Sequence, residues 1–211
     1  MVSMHIHNHQ KVRTVLEMAQ RKGVYARHTV SSHSSSWLND LGRNLANYSR
    51  VHSFILQHFK THGLKGLAVT HFGAGNGKYM HFLGKHYGIA TTAIESSGEH
   101  IQAAHAIGVR PGFKRRNAHN TKLPSNSQDI VLSDHFVLAH CEGLNDEKIL
   151  REAHRVLKPG GLLVVERATT KTLPAKAKKL FAQVNDRGFD IGTRPYANNG
   201  DLAYYFFVLK K

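Results

Sequence analysis

The chain is 211 residues long, enough for one well-cored domain or one domain with a small appendage. No apolar stretch approaches the roughly 20 residues that cross a bilayer, and the single cysteine, Cys141, excludes an internal disulfide framework and suits a reducing compartment. Lys and Arg number 29 against 14 Asp and Glu, a formal charge of +15, with 17 histidines beside them. Such a surface draws nucleic acid, anionic membranes or anionic metabolites, or serves solubility alone.

The start, Met1–Gln10, lacks the apolar core of a secretory signal. His5, His7 and His9 alternate and would share one side of a strand, but no fourth ligand accompanies them, so no metal is expected. A short helix fits Gln10–Lys22, with Gly23 as its stop, and Val24–Ser36 reads as loop. Trp37, Leu41, Leu45, Tyr48, Val51, Phe54, Ile55 and Phe59 recur at three- and four-residue spacing, which predicts amphipathic helix up to Gly63. Residues 1–63 are therefore expected to form a helical flap ahead of a second domain, 64–211. The first sixty residues are acid-poor and Ser-rich at Ser31–Ser36, which also fits an organellar transit peptide. The helical periodicity argues for structure instead, and a cytoplasmic location is expected.

From Leu67 onward strands and helices alternate. Strands are predicted at Leu67–Phe72, Ile89–Glu95, Gly112–Asn117, Asp129–Ser133, Leu162–Ala168, Phe189–Arg194 and Leu202–Leu209. Helices are predicted at Asn76–His86, Gly98–Ile107, Asn145–Leu157 and Pro174–Asp186. The third of these carries a Glu147–Arg151 pair at i,i+4 and is stopped by Lys158-Pro159-Gly160-Gly161. Units of this length imply a Rossmann-like, doubly wound α/β fold, a sheet with helices on both faces whose ligand lies beyond the carboxyl ends of the strands.

The first strand runs into Gly73-Ala74-Gly75-Asn76-Gly77, three glycines at alternate positions before a helix. Glycine permits positive φ in such a turn, and the helix N-terminus offers unpaired N–H groups to polar atoms. Glu95 ends the second strand about 22 residues past Gly73, an offset at which a carboxylate accepts both hydroxyls of a ribose. Together they indicate a nucleoside-bearing cofactor, and both NAD and S-adenosylmethionine satisfy that.

Three passages separate the two. The strand into Gly77, the stretch Asn117-Ala118-x5-Pro124-x4-Asp129-Ile130-Val131, and Leu150-Arg151-Glu152-Ala153-x-Arg155-Val156-Leu157-Lys158-Pro159-Gly160-Gly161 resemble class I S-adenosylmethionine-dependent methyltransferases in order and spacing. The likeness is to the small-molecule branch that includes quinone-biosynthesis C-methyltransferases, and it covers about Leu64 to Lys211. It implies a seven-stranded sheet, mostly parallel, with the last strand antiparallel. It also implies that Gly73, Ala74 and Gly75 run along the methionine and ribose of S-adenosylmethionine and that Glu95 binds the ribose diol. Asn117 and Ala118 would meet the adenine, and Ser133 and Asp134 would border the sulfonium and the acceptor.

Three residues depart from the family pattern: His71 replaces an acid two residues before the first glycine, Ser96 a residue usually apolar, and Asn117 a residue usually Asp. Asp134 and His140, on the acceptor side, are the candidate catalytic groups. The expected reaction is methyl transfer to an O, N or C centre of a small acceptor. An RNA- or protein-directed enzyme using the basic surface is the alternative, and a non-catalytic binding module the third reading. Lys114, Arg115 and Arg116 close the third strand near the cofactor edge, although few aromatics surround them and no separate RNA-binding module is recognisable.

Overall fold

A strand whose residues are apolar on both faces must be covered on both, and the segments after Leu67 obey that rule. A computed structural model describes residues 49–59, 63–134, 146–168, 177, 179–183, 194–195 and 203–211. They fall into two compact units that divide between His58 and Phe59. The first contributes one described element, helix α1 (Ser49–His58), on which Val51, Phe54 and Ile55 are buried as their spacing predicts. The rest of the expected flap lies outside the described residues.

The second unit runs β1 (Ala68–Phe72), α2 (Lys78–Tyr87), β2 (Ala90–Glu95), α3 (Gly98–Ala106), β3 (Phe113–Arg115), β4 (Gln128–Asp134), α4 (Asp146–Val156), β5 (Leu157–Ala168), β6 (Ala182–Gln183), β7 (Arg194–Pro195) and β8 (Ala203–Lys210). The strands line up in the order β3-β2-β1-β4-β5-β8-β6, and β7 pairs with β8. Strands β1 to β5 are mutually parallel, while β8 runs antiparallel to β5, as expected of the last strand.

One face of the sheet presents Phe72, Ile94, Val131, Leu163 and Val165 to Ile149, Leu150, Ala153 and Val156 of α4. Each of these buried side chains larger than alanine contributes roughly 1.5–3 kcal/mol. On helix α2, Tyr79, Met80, Phe82 and Leu83 are buried in turn. This helix starts two residues later than predicted, because Gly75 and Gly77 hold φ of 55 and 61 and cannot be its first turn.

Two further differences have physical causes. Strand β5 begins at Leu157, not Leu162, because Leu157 already pairs with Gln128. Lys158–Gly161 then bulge out before Ile130 meets Leu162. Glycine is required at 161, where a Cβ would stand 2.9 Å from the Lys158 carbonyl oxygen. The predicted helix Pro174–Asp186 does not run its full length. Leu180 and Phe181 both donate from their N–H to the Ala177 carbonyl, at 2.9 Å each, which closes the turn. Ala182 and Gln183 then pair with Lys210 and Leu209, so strand bonds take the backbone groups a longer helix would have used. Of the predicted strand Phe189–Arg194, only Arg194 is among the described residues, and it sits in β7.

Candidate cofactor site

The glycine turn is built by hydrogen bonds from its own backbone. Gly73 N and Ala74 N both donate to the Ile94 carbonyl, at 2.9 and 3.0 Å, folding the end of β1 against the end of β2. Gly77 N donates to the Ala74 carbonyl at 2.9 Å and closes the turn into α2. Gly77 must be glycine on two counts, since its φ is positive and a Cβ would stand 2.6 Å from Phe113 Cζ. A Cβ on Gly75 would meet nothing within 4 Å, so the turn is open there.

Glu95 is buried and ties this turn to the next one. Its Oε2 accepts from Gly75 N at 2.7 Å and its Oε1 from Ser97 N at 2.8 Å. Ser97, which the sequence reading did not single out, caps α3 by accepting from His100 N at 3.2 Å. His100 Nδ1 lies 3.9 Å from Glu95 Oε1. The Arg116 N–H donates to the Glu95 carbonyl at 3.1 Å, which brings the following Asn117 and Ala118 alongside. Asn117 is exposed, and its carbonyl accepts from Asn120 N at 3.0 Å in a tight turn. Ala118 packs against the α4-side core. Gly73, Ala74, Gly75, Glu95, Asn117 and Ala118 thus converge at the carboxyl end of β1, β2 and β3.

Ser133 lies beside Phe72 near the end of β4, buried, and its Oγ has no hydrogen-bond partner among the described residues. A buried hydroxyl left without a partner costs roughly 1–3 kcal/mol, so its place at the strand ends matters. The backbone of Asp134 ends β4, paired with Glu166. His140 is outside the described residues. Of the departures, His71 is buried on the opposite face from Phe72, between Ala93 and Leu132, and Ser96 is exposed.

One functional-looking cluster escaped the sequence reading as chemistry. Glu152 accepts from Thr121 N and Thr121 Oγ1, at 2.9 and 2.6 Å, and from Arg155 Nε and Nη2, at 2.8 and 2.7 Å. Burial alone would raise its pKa, but the Arg155 and Thr121 hydrogen bonds outweigh it and hold the carboxyl down to about 2. The sequence signal was a carboxylate on the apolar face of α4, between Ile149 and Val156, where it requires a partner.

An open turn at Gly75, a buried carboxylate beside it and an orphaned hydroxyl on the adjoining strand fit a ligand with both a diol and a polar tail. Residues 70–165 match the family described as Methyltransferase domain. The match, under half of the chain, marks these residues as similar to a methyltransferase domain. The cofactor this indicates is S-adenosylmethionine, which supplies an electrophilic methyl on a sulfonium.

The domain's fold recurs in the PH0226 protein of Pyrococcus horikoshii, at a TM-score of 0.61 and 16% identity, covering 80% of this chain and 91% of that one. It recurs in a TehB-like SAM-dependent methyltransferase of Corynebacterium glutamicum at a TM-score of 0.60 and 16% identity, over 82% and 96% of the two chains. In sequence, the chain is 28% identical over 104 residues to Ribosomal RNA-processing protein 8 of Arabidopsis thaliana. That match takes in 47% of this chain and 35% of the relative. Among the described residues no helix of the methyltransferase domain is long and apolar enough to cross a membrane.

Proposed function

We propose that the chain transfers the methyl of S-adenosylmethionine to a nucleophilic N, O or C centre of RNA. The observation that carries the cofactor half is the Glu95 carboxylate bound to Gly75 N and Ser97 N beside an open glycine turn. In this reading Glu95 receives the ribose hydroxyls, Gly73, Ala74 and Gly75 flank the ribose and methionine, Asn117 and Ala118 receive the adenine, and Ser133 Oγ bonds a polar group of the cofactor. Asp134 and His140 border the acceptor, with His140 taking a proton where the nucleophile is weakly acidic. Binding both reactants in line supplies much of the rate for a single displacement.

RNA is favoured over a small acceptor by the ribosomal RNA-processing relative and by the formal charge of +15. Two experiments test the two halves. Calorimetry should show binding of S-adenosylmethionine that Glu95→Gln weakens by roughly a hundredfold, since a charged acceptor of two hydroxyls is lost. Absence of binding up to millimolar cofactor would leave the non-catalytic module. Tritiated methyl from the cofactor should appear in RNA from a cell extract. Label confined to solvent-extractable metabolites would return the acceptor to the small-molecule class, quinone precursors included.

A further inference from the structure

We infer that the outer edge of the sheet, Arg110 to Lys122, is a docking strip for the sugar-phosphate backbone of structured RNA. This rests on the RNA reading above and adds a place and a kind of RNA to it.

The strip is built of positive charge that no carboxylate among the described residues pairs. Arg110, Lys114, Arg115, Arg116 and Lys122 fall within 13 consecutive residues, and no Asp or Glu occurs between Glu99 and Asp129. All five are exposed. Among the described residues none of the five lies within ion-pair distance of a carboxylate, and Asp129 is taken by Lys158 at 2.8 Å. Free cations of this density bind polyanions by releasing counterions, a term that grows with each phosphate neutralised.

Its position suits the reaction. Strand β3 is the end strand of the sheet, paired only with β2 among the described strands. Its pleat sends Lys114 and Arg115 to opposite faces, and at an edge three residues long both faces border solvent. The strip is also anchored to the cofactor turn. Arg115 Nε donates to the Ser96 carbonyl at 3.4 Å, and Arg116 N to the Glu95 carbonyl at 3.1 Å. The Arg110 N–H donates to His81 Nδ1 of α2 at 3.3 Å, fixing the strip's other end. A backbone lying along it therefore passes the carboxyl ends of β2 and β3.

Its chemistry selects the kind of RNA. Single strands are held largely by bases stacking on exposed aromatics. Of the strip's two rings, Phe113 faces His105 at 5.5 Å between ring centroids and underlies Gly77, so it is spent on packing, and His119 alone is exposed, one ring where a single strand uses several. Cations without a stacking platform recognise phosphates spaced by a helix.

The test measures binding of the full chain to a duplex hairpin and to single-stranded poly-U across a salt series. The comparison variant is Lys114→Gln, Arg116→Gln and Lys122→Asn together, asparagine tolerating the φ of 58 at that position. The wild type should prefer the hairpin. The variant should lose about 2 to 3 from the log–log salt slope, close to one per contact, with its affinity for S-adenosylmethionine unchanged. If the triple variant does not bind cofactor, Lys114→Gln alone carries the same test, with a slope change of about 1. A variant slope equal to that of a wild type that does methylate RNA overturns the strip and spares the RNA reading. Preference for poly-U overturns the structured-RNA selection. A wild type that neither binds nor methylates RNA overturns the reading beneath it.

Discussion

Glu152 on α4 and Thr121, 31 positions earlier in the chain, are joined by two hydrogen bonds to one carboxylate oxygen. Arg155 completes the clamp and reaches on to Ser125 Oγ at 3.0 Å. Thr121 Oγ1 also accepts from Leu123 N at 3.2 Å, so the whole loop after the Asn117–Asn120 turn hangs on α4. Glu152→Ala would leave Thr121 N buried without a partner and Arg155 without its anion, at a cost of roughly 2–4 kcal/mol. Urea unfolding should show that loss, with Glu152→Gln losing less because its amide oxygen still accepts.

The same clamp sets a pH dependence. The Glu152 carboxyl is held down to about 2 in the fold, against an ordinary value of 4.5. A depressed carboxyl contributes stability that is fully present above its unfolded pKa and is lost as pH falls through its folded one. The stability gap between wild type and Glu152→Gln should hold at neutral pH and close between about 4.5 and 2. A gap that stays constant over that range would mean the carboxylate contributes no more than its shape.

How much of this was legible beforehand depended on what each residue answers to. The strand–turn–helix at Leu67–Gly77 was readable because three alternate glycines have few other uses, and Glu95 was readable as the end of the second strand. The passage around Glu152 was read only as a mark of resemblance. Its physical meaning, a clamp across 31 residues, depends on a loop with no periodicity of its own. The break after Ala177 was hidden for a related reason. Lys, Leu and Ala favour helix locally, but β8 offers Ala182 and Gln183 strand bonds that only the tertiary fold supplies.

Gly75 and Gly77 share positive φ yet should respond differently to alanine. At Gly77 the Cβ would collide with Phe113 Cζ at 2.6 Å and Pro111 Cγ at 2.7 Å, both packed side chains. Gly77→Ala should destabilise by more than about 3 kcal/mol or prevent folding, combining overpacking with left-handed strain. Gly75→Ala meets open space and should cost about 1–2 kcal/mol from strain alone. It should fold and bind S-adenosylmethionine at least tenfold more weakly, because its methyl occupies the open side of the turn. Paired melts and calorimetry separate the two effects.

Asp129 serves the sheet rather than the chemistry. Its Oδ2 accepts from Ala68 N at 2.8 Å, the first N–H of β1, while both oxygens take Lys158 Nζ at 2.8 and 2.9 Å. Asp129→Ala should free the start of β1 and cost roughly 1–3 kcal/mol, most of it from the backbone donor. Lys158→Met should cost less than about 1 kcal/mol, since the lysine side chain is 44% exposed and its pairing is partly screened. Amide exchange at Ala68 should accelerate in the first variant and barely change in the second.

Ser133 offers the sharpest separation of stability from function. Its buried Oγ has no partner among the described residues, so the fold carries the desolvation of a hydroxyl with no bond in return. Ser133→Ala removes that group without opening a cavity larger than one oxygen. The cofactor-free protein should therefore keep its stability or gain up to about 1 kcal/mol. If the hydroxyl is kept for S-adenosylmethionine, the same variant should bind it roughly 5- to 10-fold more weakly, the worth of one neutral hydrogen bond. A destabilised variant with undiminished cofactor affinity would place the missing partner in the protein itself, and would remove Ser133 from the site.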